Sequence, residues 1–334
     1  MSIGRFTSMK KICIYGAGAI GGWLGARLAS HAVVPLAVVA RGATLAALRQ
    51  HGLRLASPDG DVQVRVQASD APAELGVQDL VIVAVKAPAL AAVSRSIGPL
   101  IGPETMVLTV TNGVPWWFLE EFDCPLKGSR LHAVDPDGAI SRAIPIARVV
   151  GGVVHASCSL DSPGAIRHHF GRKLIIGEPA GGVTPRVQEL AQLLTQAGFE
   201  AEVSPRIQKD VWFKLWGNMT INPISALTGA TADRVIDDEL VRAFATSVMR
   251  EAKEIGVRIG IPIAEEPEDR HEVTRKIGAV KTSMLQDVEA GRPLELDALV
   301  ASVRELGQLT GVPTPFTDAL LGLARLMART RGLY

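Results

Sequence analysis

Cysteine is scarce in this chain: Cys13, Cys124 and Cys158 are the three among 334 residues. Their number is odd, their spacing is wide, and no C-x-x-C pair or Cys/His cluster surrounds them, which argues against a disulfide framework and a zinc or other metal site. A reducing cytoplasm is the expected compartment. Long hydrophobic runs are missing as well. The longest, Val33 to Ala40 and Leu80 to Val85, are strand-length and far short of the roughly 20 residues that span a bilayer, so no membrane crossing is expected. Neither sign of charge dominates, with 35 basic residues against 34 acidic ones and a formal +1. Without a basic block, nucleic acid and anionic membranes are poor partners, and a small molecule fits better. The stretch before Met9 lacks the apolar centre and cleavage site of a signal peptide; residues 1–8 read as a disordered extension, and Met9-Lys10-Lys11 offers an alternative start. There is no internal repeat or low-complexity tract.

What is present suffices for a large core, with 47% hydrophobic and 21% charged residues, and the length suggests two domains. Strand-like runs at Lys11 to Tyr15, Val33 to Ala40, Leu80 to Val85 and Thr105 to Val110 alternate with Ala/Leu-rich helical stretches at Ile20 to Ser30, Thr44 to Gln50 and Leu90 to Ile97. This alternation predicts a doubly wound α/β domain. Short β-rich segments at Val149 to His155 and Lys173 to Ile176, a helix near Thr184 to Ala197 and a strand at Glu200 to Val203 complete its sheet. After Pro205 only helices are expected: Ile207 to Leu227, Asp238 to Gly256, Ile263 to Gly278, Leu296 to Gly311 and Pro315 to Arg329. The predicted division is 9–204 for the α/β domain and 205–334 for an all-α domain.

Within the first of those helices, Lys214, Asn218 and Asn222 recur every four residues among Trp212, Phe213, Leu215, Trp216, Met219, Ile221 and Ile224. At about 100° per residue, Lys214 to Asn222 spans about 80°, so an ammonium and two carboxamides share one narrow face of a largely buried helix. Burying such groups unpaired costs several kcal/mol. Other protein groups or an oxygen-bearing ligand must face them. Pro223 removes an N–H and crowds the preceding turn, which predicts a bend and a freed Met219 carbonyl.

Gly16-Ala17-Gly18-Ala19-Ile20-Gly21 follows the first strand and opens a helix. In that setting a G-x-G-x-x-G sequence has a mechanism: Gly16 allows the tight turn, Gly18 admits a pyrophosphate to backbone N–H groups, and Gly21 lets helix pack on strand. A Gly-rich turn without ligand is the alternative. Where an acidic residue would take ribose hydroxyls, the second strand ends Val39-Ala40-Arg41-Gly42. Arg41 suits a 2′-phosphate, which favours NADP(H) over NAD(H), unless it is a solvated loop cation. Asn112-Gly113 is an ordinary turn dipeptide, yet it stands at the carboxyl end of a strand, where such sheets bind ligands.

Five patterns in order, the glycine fingerprint, Val85-Lys86-Ala87, Thr111-Asn112-Gly113, Lys214-x3-Asn218-x3-Asn222-Pro223, and Thr282-Ser283-Met284-Leu285-Gln286-Asp287 followed by Glu295, together resemble the ketopantoate reductase (2-dehydropantoate 2-reductase) family. The resemblance implies an N-terminal Rossmann domain, a helical C-terminal domain, and a cleft between them where NADPH reduces a 2-oxo acid. Carried over by position, Lys214 looks like the proton donor, and Asn218, Asn222 and Ser283 look like substrate-binding groups. Asn112 sits where the family contacts both cofactor and substrate. Lys86, the backbone at Ser157 and Glu295 look similar to positions that hold NADP. Where the family often has a Thr-Asn-Gly turn reaching the substrate, this chain has Thr231-Ala232-Asp233, and Trp116-Trp117 adds bulk after Asn112.

The chemistry suits a lysine. Hydride addition to a ketone builds negative charge on its oxygen, which an ammonium stabilises and protonates, and partial burial lowers the Lys214 pKa toward the operating range. Taken alone, each residue has a plainer reading. Lys214 could reach past Trp212 to water, and the asparagines could bond between helices. Ser283 could be an N-cap rather than a carboxylate receptor, and Glu295 could serve the dipole of a first turn. His155, His168 and His169 read as structural, with His168 a candidate supporting group. The expected activity is NADPH-dependent reduction of a small 2-oxo acid, 2-dehydropantoate first. A reductase of another 2-oxo acid and a non-catalytic NADPH-binding regulator are the alternatives. Assembly into a homodimer stays open.

Overall fold

The computed structural model of the protein describes residues 9–31 and 34–334; the expected extension at 1–8, and Val33 at the start of the expected second strand, lie outside the described residues. The chain forms two compact units. One comprises the chain up to Thr111 with Ala139–Ile207, the other Asn112–Gly138 with Gln208–Tyr334.

All described strands belong to the first unit: β1 (Ile12–Tyr15), β2 (Leu36–Val39), β3 (Leu53–Ala56), β4 (Val62–Val64), β5 (Gln67–Ser69), β6 (Leu80–Val83), β7 (Met106–Thr109), β8 (Val149–Ser162), β9 (Ala165–Gly177) and β10 (Glu200–Val203). They make one sheet in the order β4-β3-β9-β8-β7-β6-β1-β2-β5, with β10 also on β9. From β5 to β8 every pairing is parallel. Residues of β1, β2, β6 and β7 are all buried, the burial expected of parallel strands covered on both faces and the reason they read as unbroken apolar runs. The antiparallel pair β8 and β9 is far longer than the short segments expected, at 14 and 13 residues. Only the first six residues of β8 are buried; the polar remainder hid its length from a reading based on hydrophobicity. Ser157 lies in that remainder, beside a register shift after His155.

Helices α1 (Ala19–His31), α2 (Gly42–His51), α3 (Leu90–Ser94), α4 (Ala139–Ala143) and α5 (Pro185–Gln196) complete this unit. Leu24 and Leu28 of α1 and Val187, Leu190 and Leu194 of α5 share a buried core with Ile12, Ile14, Val38 and Leu108 of the sheet. His168 belongs to the core's edge. Its ring stacks on Trp23 at 5.3 Å and is bonded to the Ser57 hydroxyl (3.1 Å) and the Gly171 carbonyl (2.7 Å), which is a structural role.

The second unit is helical: α6 (Ile207–Thr228), α7 (Ala232–Asp237), α8 (Glu239–Arg258), α9 (Pro267–Ile277), α10 (Ser283–Glu289), a π-helical turn at Asp297–Ala301 running into α11 (Ser302–Thr310), and α12 (Pro315–Thr330). Trp212, Leu215, Trp216, Met219, Ile221 and Ile224 are buried around α6, as expected of a helix that is apolar on every side and forms the centre of its unit. The helix continues through Pro223 to Thr228. On α8 the buried Glu251 carboxylate accepts from Phe316 N–H (2.8 Å), Thr317 N–H (2.9 Å) and the Thr317 hydroxyl (2.6 Å). It thereby satisfies the orphan donors at the start of α12.

The units depart from a single division at Ser204. Segment 112–138 packs with the helices because of its aromatic content: Trp116, Trp117 and Phe118 are all buried, and the Phe118 ring lies 6.2 Å from that of Trp212. Glu305 fixes the segment further by accepting from the His132 and Ala133 N–H groups at 2.7 and 2.8 Å. The tryptophan pair is therefore core of the helical unit.

Candidate active site

In the first unit the fingerprint turn joins β1 to α1. Gly16 has φ +99°, and its N–H donates to the Val39 carbonyl at 3.0 Å. A Cβ on Gly21 would stand 1.9 Å from the Gly16 carbonyl oxygen and 2.9 Å from the Ala84 Cβ, so the helix can approach this closely only without a side chain there. Gly18 differs. A Cβ built on it meets nothing within 4 Å, and the Gly18 carbonyl accepts the Gly22 N–H at 2.8 Å as α1 begins. The open space therefore faces the first turn of α1, where N–H groups lack intrahelical partners and the dipole favours an anion. These residues fit a pyrophosphate, and with it a dinucleotide.

Arg41 follows β2 as the exposed N-cap residue of α2, in extended conformation. Lys86 follows β6, half-buried, as the residue before a 3₁₀ turn at Ala87–Ala89. Both thus lie just beyond the carboxyl ends of parallel strands, as does the fingerprint turn after β1.

In the second unit, Lys214 is half-buried on α6, and its Nζ donates to Asn112 Oδ1 at 2.9 Å. Burial pushes the Lys214 pKa down from 10.5 to about 8; the Glu295 carboxylate opposes this and the Arg270 guanidinium adds to it. Asn218 is half-buried and Asn222 is 6% exposed. The structure therefore brings Lys214, Asn112 and Glu295 together, with Asn218 and Asn222 continuing the same helix face.

The π-turn holds the chain just after Asn112. Where an α-helix would bond the Ser302 N–H to Ala298, the turn engages it with Asp297, leaving the Ala298 carbonyl to accept Val114 N–H and the Ser302 hydroxyl, both at 2.8 Å. Gly113, at φ +85°, lies directly on this carbonyl, since a Cβ there would be 2.4 Å from the Ala298 oxygen. Glu295 is 5% exposed, and its carbonyl receives the Leu299 N–H at 3.1 Å as this helical stretch starts.

Ser283 is exposed in the first position of α10, and Thr282, not Ser283, is the N-cap, its hydroxyl accepting from Leu285 N–H at 3.2 Å. Ala232 is buried at the start of α7, where its N–H donates to the Val280 carbonyl at 3.0 Å. A helix N-terminus thus stands in place of the expected turn. Ser157 lies in the first unit, on β8. Among the described residues no three His, Cys, Asp or Glu side chains could hold a metal, and no helix is long and apolar enough to cross a membrane. Burial raises the Cys13 and Cys158 thiols to about 12, so neither offers a thiolate at neutral pH. Sequence reasoning missed Arg270, which lies over the Phe213 ring at 5.8 Å.

A dinucleotide fingerprint on a parallel sheet and a helical unit carrying a desolvated lysine define an oxidoreductase built from a Rossmann-type α/β unit and an all-α unit. The family model described as "Ketopantoate reductase PanE/ApbA" matches residues 12–181, and its C-terminal counterpart matches 206–328. The chain belongs to the ketopantoate reductase family. A 2-dehydropantoate 2-reductase of Mesorhizobium japonicum is 46% identical over 97% of this chain and 99% of that protein. A crystal structure of a candidate ketopantoate reductase from Ralstonia solanacearum MolK2 is 58% identical with a TM-score of 0.94, covering 98% of this chain and all of the other. The 2-dehydropantoate 2-reductase of Geobacter metallireducens, 28% identical, has a TM-score of 0.83 over 95% of this chain and 99% of its own.

Proposed function

We propose that this protein reduces 2-dehydropantoate to pantoate with NADPH, and that Lys214 is the proton donor. The observation that carries the reading is the lysine itself. Its pKa is lowered to about 8 by burial, and it is hydrogen-bonded to Asn112 at 2.9 Å. An acid with a pKa near the working pH is both charged enough to stabilise an alkoxide and weak enough to release its proton.

Bound NADPH supplies the hydride. Gly16, Ala17, Gly18, Ala19, Ile20 and Gly21 hold its pyrophosphate at the start of α1, and Arg41 pairs with its 2′-phosphate. Lys86, Asn112, the backbone at Ser157 and Glu295 add cofactor contacts. On the substrate, the Lys214 ammonium bonds the 2-oxo oxygen and passes its proton there as charge develops. Asn112 orients the Lys214 ammonium as acceptor and keeps its amide for the substrate. Asn218 and Asn222 each offer a donor and an acceptor, which suits hydroxyl and carboxylate oxygens. Ser283 offers a hydroxyl. The reducing cytoplasm is the compartment that fits the three free cysteines.

Lys214→Ala is expected to leave NADPH binding intact and to lower turnover by at least about 10²-fold, the usual worth of a positioned acid. Near-normal turnover would remove Lys214 from the mechanism. A second reading, a reductase of another small 2-oxo acid, is favoured by the buried Ala232 in place of a substrate-reaching asparagine. Steady-state assays over a panel of 2-oxo acids separate the two, and a clear preference for any acid over 2-dehydropantoate decides for the second. NADPH binding without oxidation across the whole panel would instead indicate a regulator.

A further inference from the structure

Arg270 on α9 is the one strongly desolvated guanidinium beside the Lys214 face. Burial alone pushes its pKa down, with no carboxylate opposing it. Its Nε is buried without a hydrogen-bond partner. Among the described residues it forms no ion pair, and its one close charge-related contact is with the Phe213 ring, whose centroid lies 5.8 Å from Cζ. A half-buried cation left in this state is costly, because nothing returns the solvation it has lost. Several other arginines are placed differently: Arg27, Arg186 and Arg292, for example, each meet a carboxylate.

The local sequence makes room for this group. Gly217 is the residue between Trp216 and Asn218, and a Cβ on it would stand 2.6 Å from Arg270 Nε. Phe213 and Gly217 lie on the same side of Lys214 on α6, about 100° and about 60° round the helix from it at about 100° per residue. The guanidinium thus borders the stripe of Lys214 and Asn218, close enough for its charge to depress the Lys214 pKa.

We propose that Arg270 is a substrate-binding residue whose counter-charge is the carboxylate of the 2-oxo acid. This rests on the reading of the site as a 2-oxo acid reductase and names what it selects: an anionic α-oxo carboxylate over a neutral ketone. A guanidinium offers two parallel donors to a carboxylate and is the side chain best matched to it. Ser283 is a neutral donor and cannot supply that charge. With the carboxylate held by Arg270 and the oxo oxygen by Lys214, two adjacent functional groups of one small molecule meet two cations of one helical unit.

The test compares a 2-oxo acid with its methyl ester, which keeps the ketone and lacks the charge, in wild type and in Arg270→Gln. The KM for the acid should rise about 10²-fold, in line with loss of a bidentate charged contact, while the KM for the ester and the Kd for NADPH stay within about twofold. Arg270→Lys keeps a charge without the fork and carries the same comparison should the glutamine variant fail to fold; its acid KM should rise about tenfold with the ester unchanged. An unchanged preference for acid over ester in the variants, with wild type turning over the acid normally, overturns this assignment and leaves the proposed activity standing. Equal losses on acid and ester also overturn it, since they mark a packing role. A wild type that oxidises NADPH with no 2-oxo acid overturns both.

Discussion

Raising the pH should switch the enzyme off while relieving a strain on its fold. Lys214 has a pKa of about 8, so about nine-tenths of it is charged at pH 7 and about one-tenth at pH 9, and kcat/KM should fall about tenfold across that interval. A lysine at the ordinary 10.5 would lose only a few per cent. Initial rates of NADPH oxidation at low substrate, measured from pH 6 to 10, report this free-enzyme ionisation. Stability moves the other way. Because the folded pKa lies below the unfolded one, the unfolded chain holds the extra proton between pH 8 and 10.5, and stability contributed by this group rises with pH through that window. Lys214→Met removes the titration, so its stability advantage over wild type in urea melts should be full below pH 8 and fade toward 10.5. The buried Cys13 and Cys158 thiols titrate in both proteins and cancel in this comparison. A rate that stays flat to pH 10, or an advantage of Lys214→Met that is independent of pH, would refute the reasoning.

Two further substitutions probe each unit separately. Gly113→Ala forces a Cβ to within 2.4 Å of the Ala298 oxygen at φ +85°, which should destabilise the protein by about 2 kcal/mol or more and lower turnover through loss of the Asn112 position; a wild-type urea midpoint would show that the turn yields easily. Arg41→Ala should weaken NADPH binding by about 10- to 100-fold, the worth of a charged contact, and leave NADH binding unchanged. Equal losses for both nucleotides, read by fluorescence titration, would detach Arg41 from the 2′-phosphate.

Much of the architecture was legible because the decisive signals are local. Strands β1, β2, β6 and β7 are short apolar runs fully enclosed by helices, and the Gly16 to Gly21 turn carries its own steric demands. Helix α6 was legible because polar residues at a spacing of four stand out on an apolar cylinder. Three features were not. The second half of β8 alternates only small or half-exposed apolar residues, Ala156, Cys158 and Leu160, with polar ones, too weak a pattern to announce a strand. The π-turn at 297–301 is a choice of hydrogen-bond partner that no residue type announces. Arg270 sits in Pro267-Glu268-Asp269-Arg270-His271-Glu272, a charge-rich stretch that reads as a solvated face; its neighbour His271 is 3% exposed and bonded to the Thr246 hydroxyl at 2.9 Å. Only the fold reveals which of those charges turn inward.

The path of the chain makes the helical half a composite. Cut after Ile207, the C-terminal piece would retain every long helix yet lack Trp116, Trp117, Phe118 and Phe122, apolar side chains supplied from far upstream and buried in the intact protein. During synthesis that aromatic wedge leaves the ribosome well before the helices it will pack against, and must wait for them with its surface uncovered. Docking it closes a loop of many tens of residues, so this half should be completed late, and an excised fragment should be sticky rather than native.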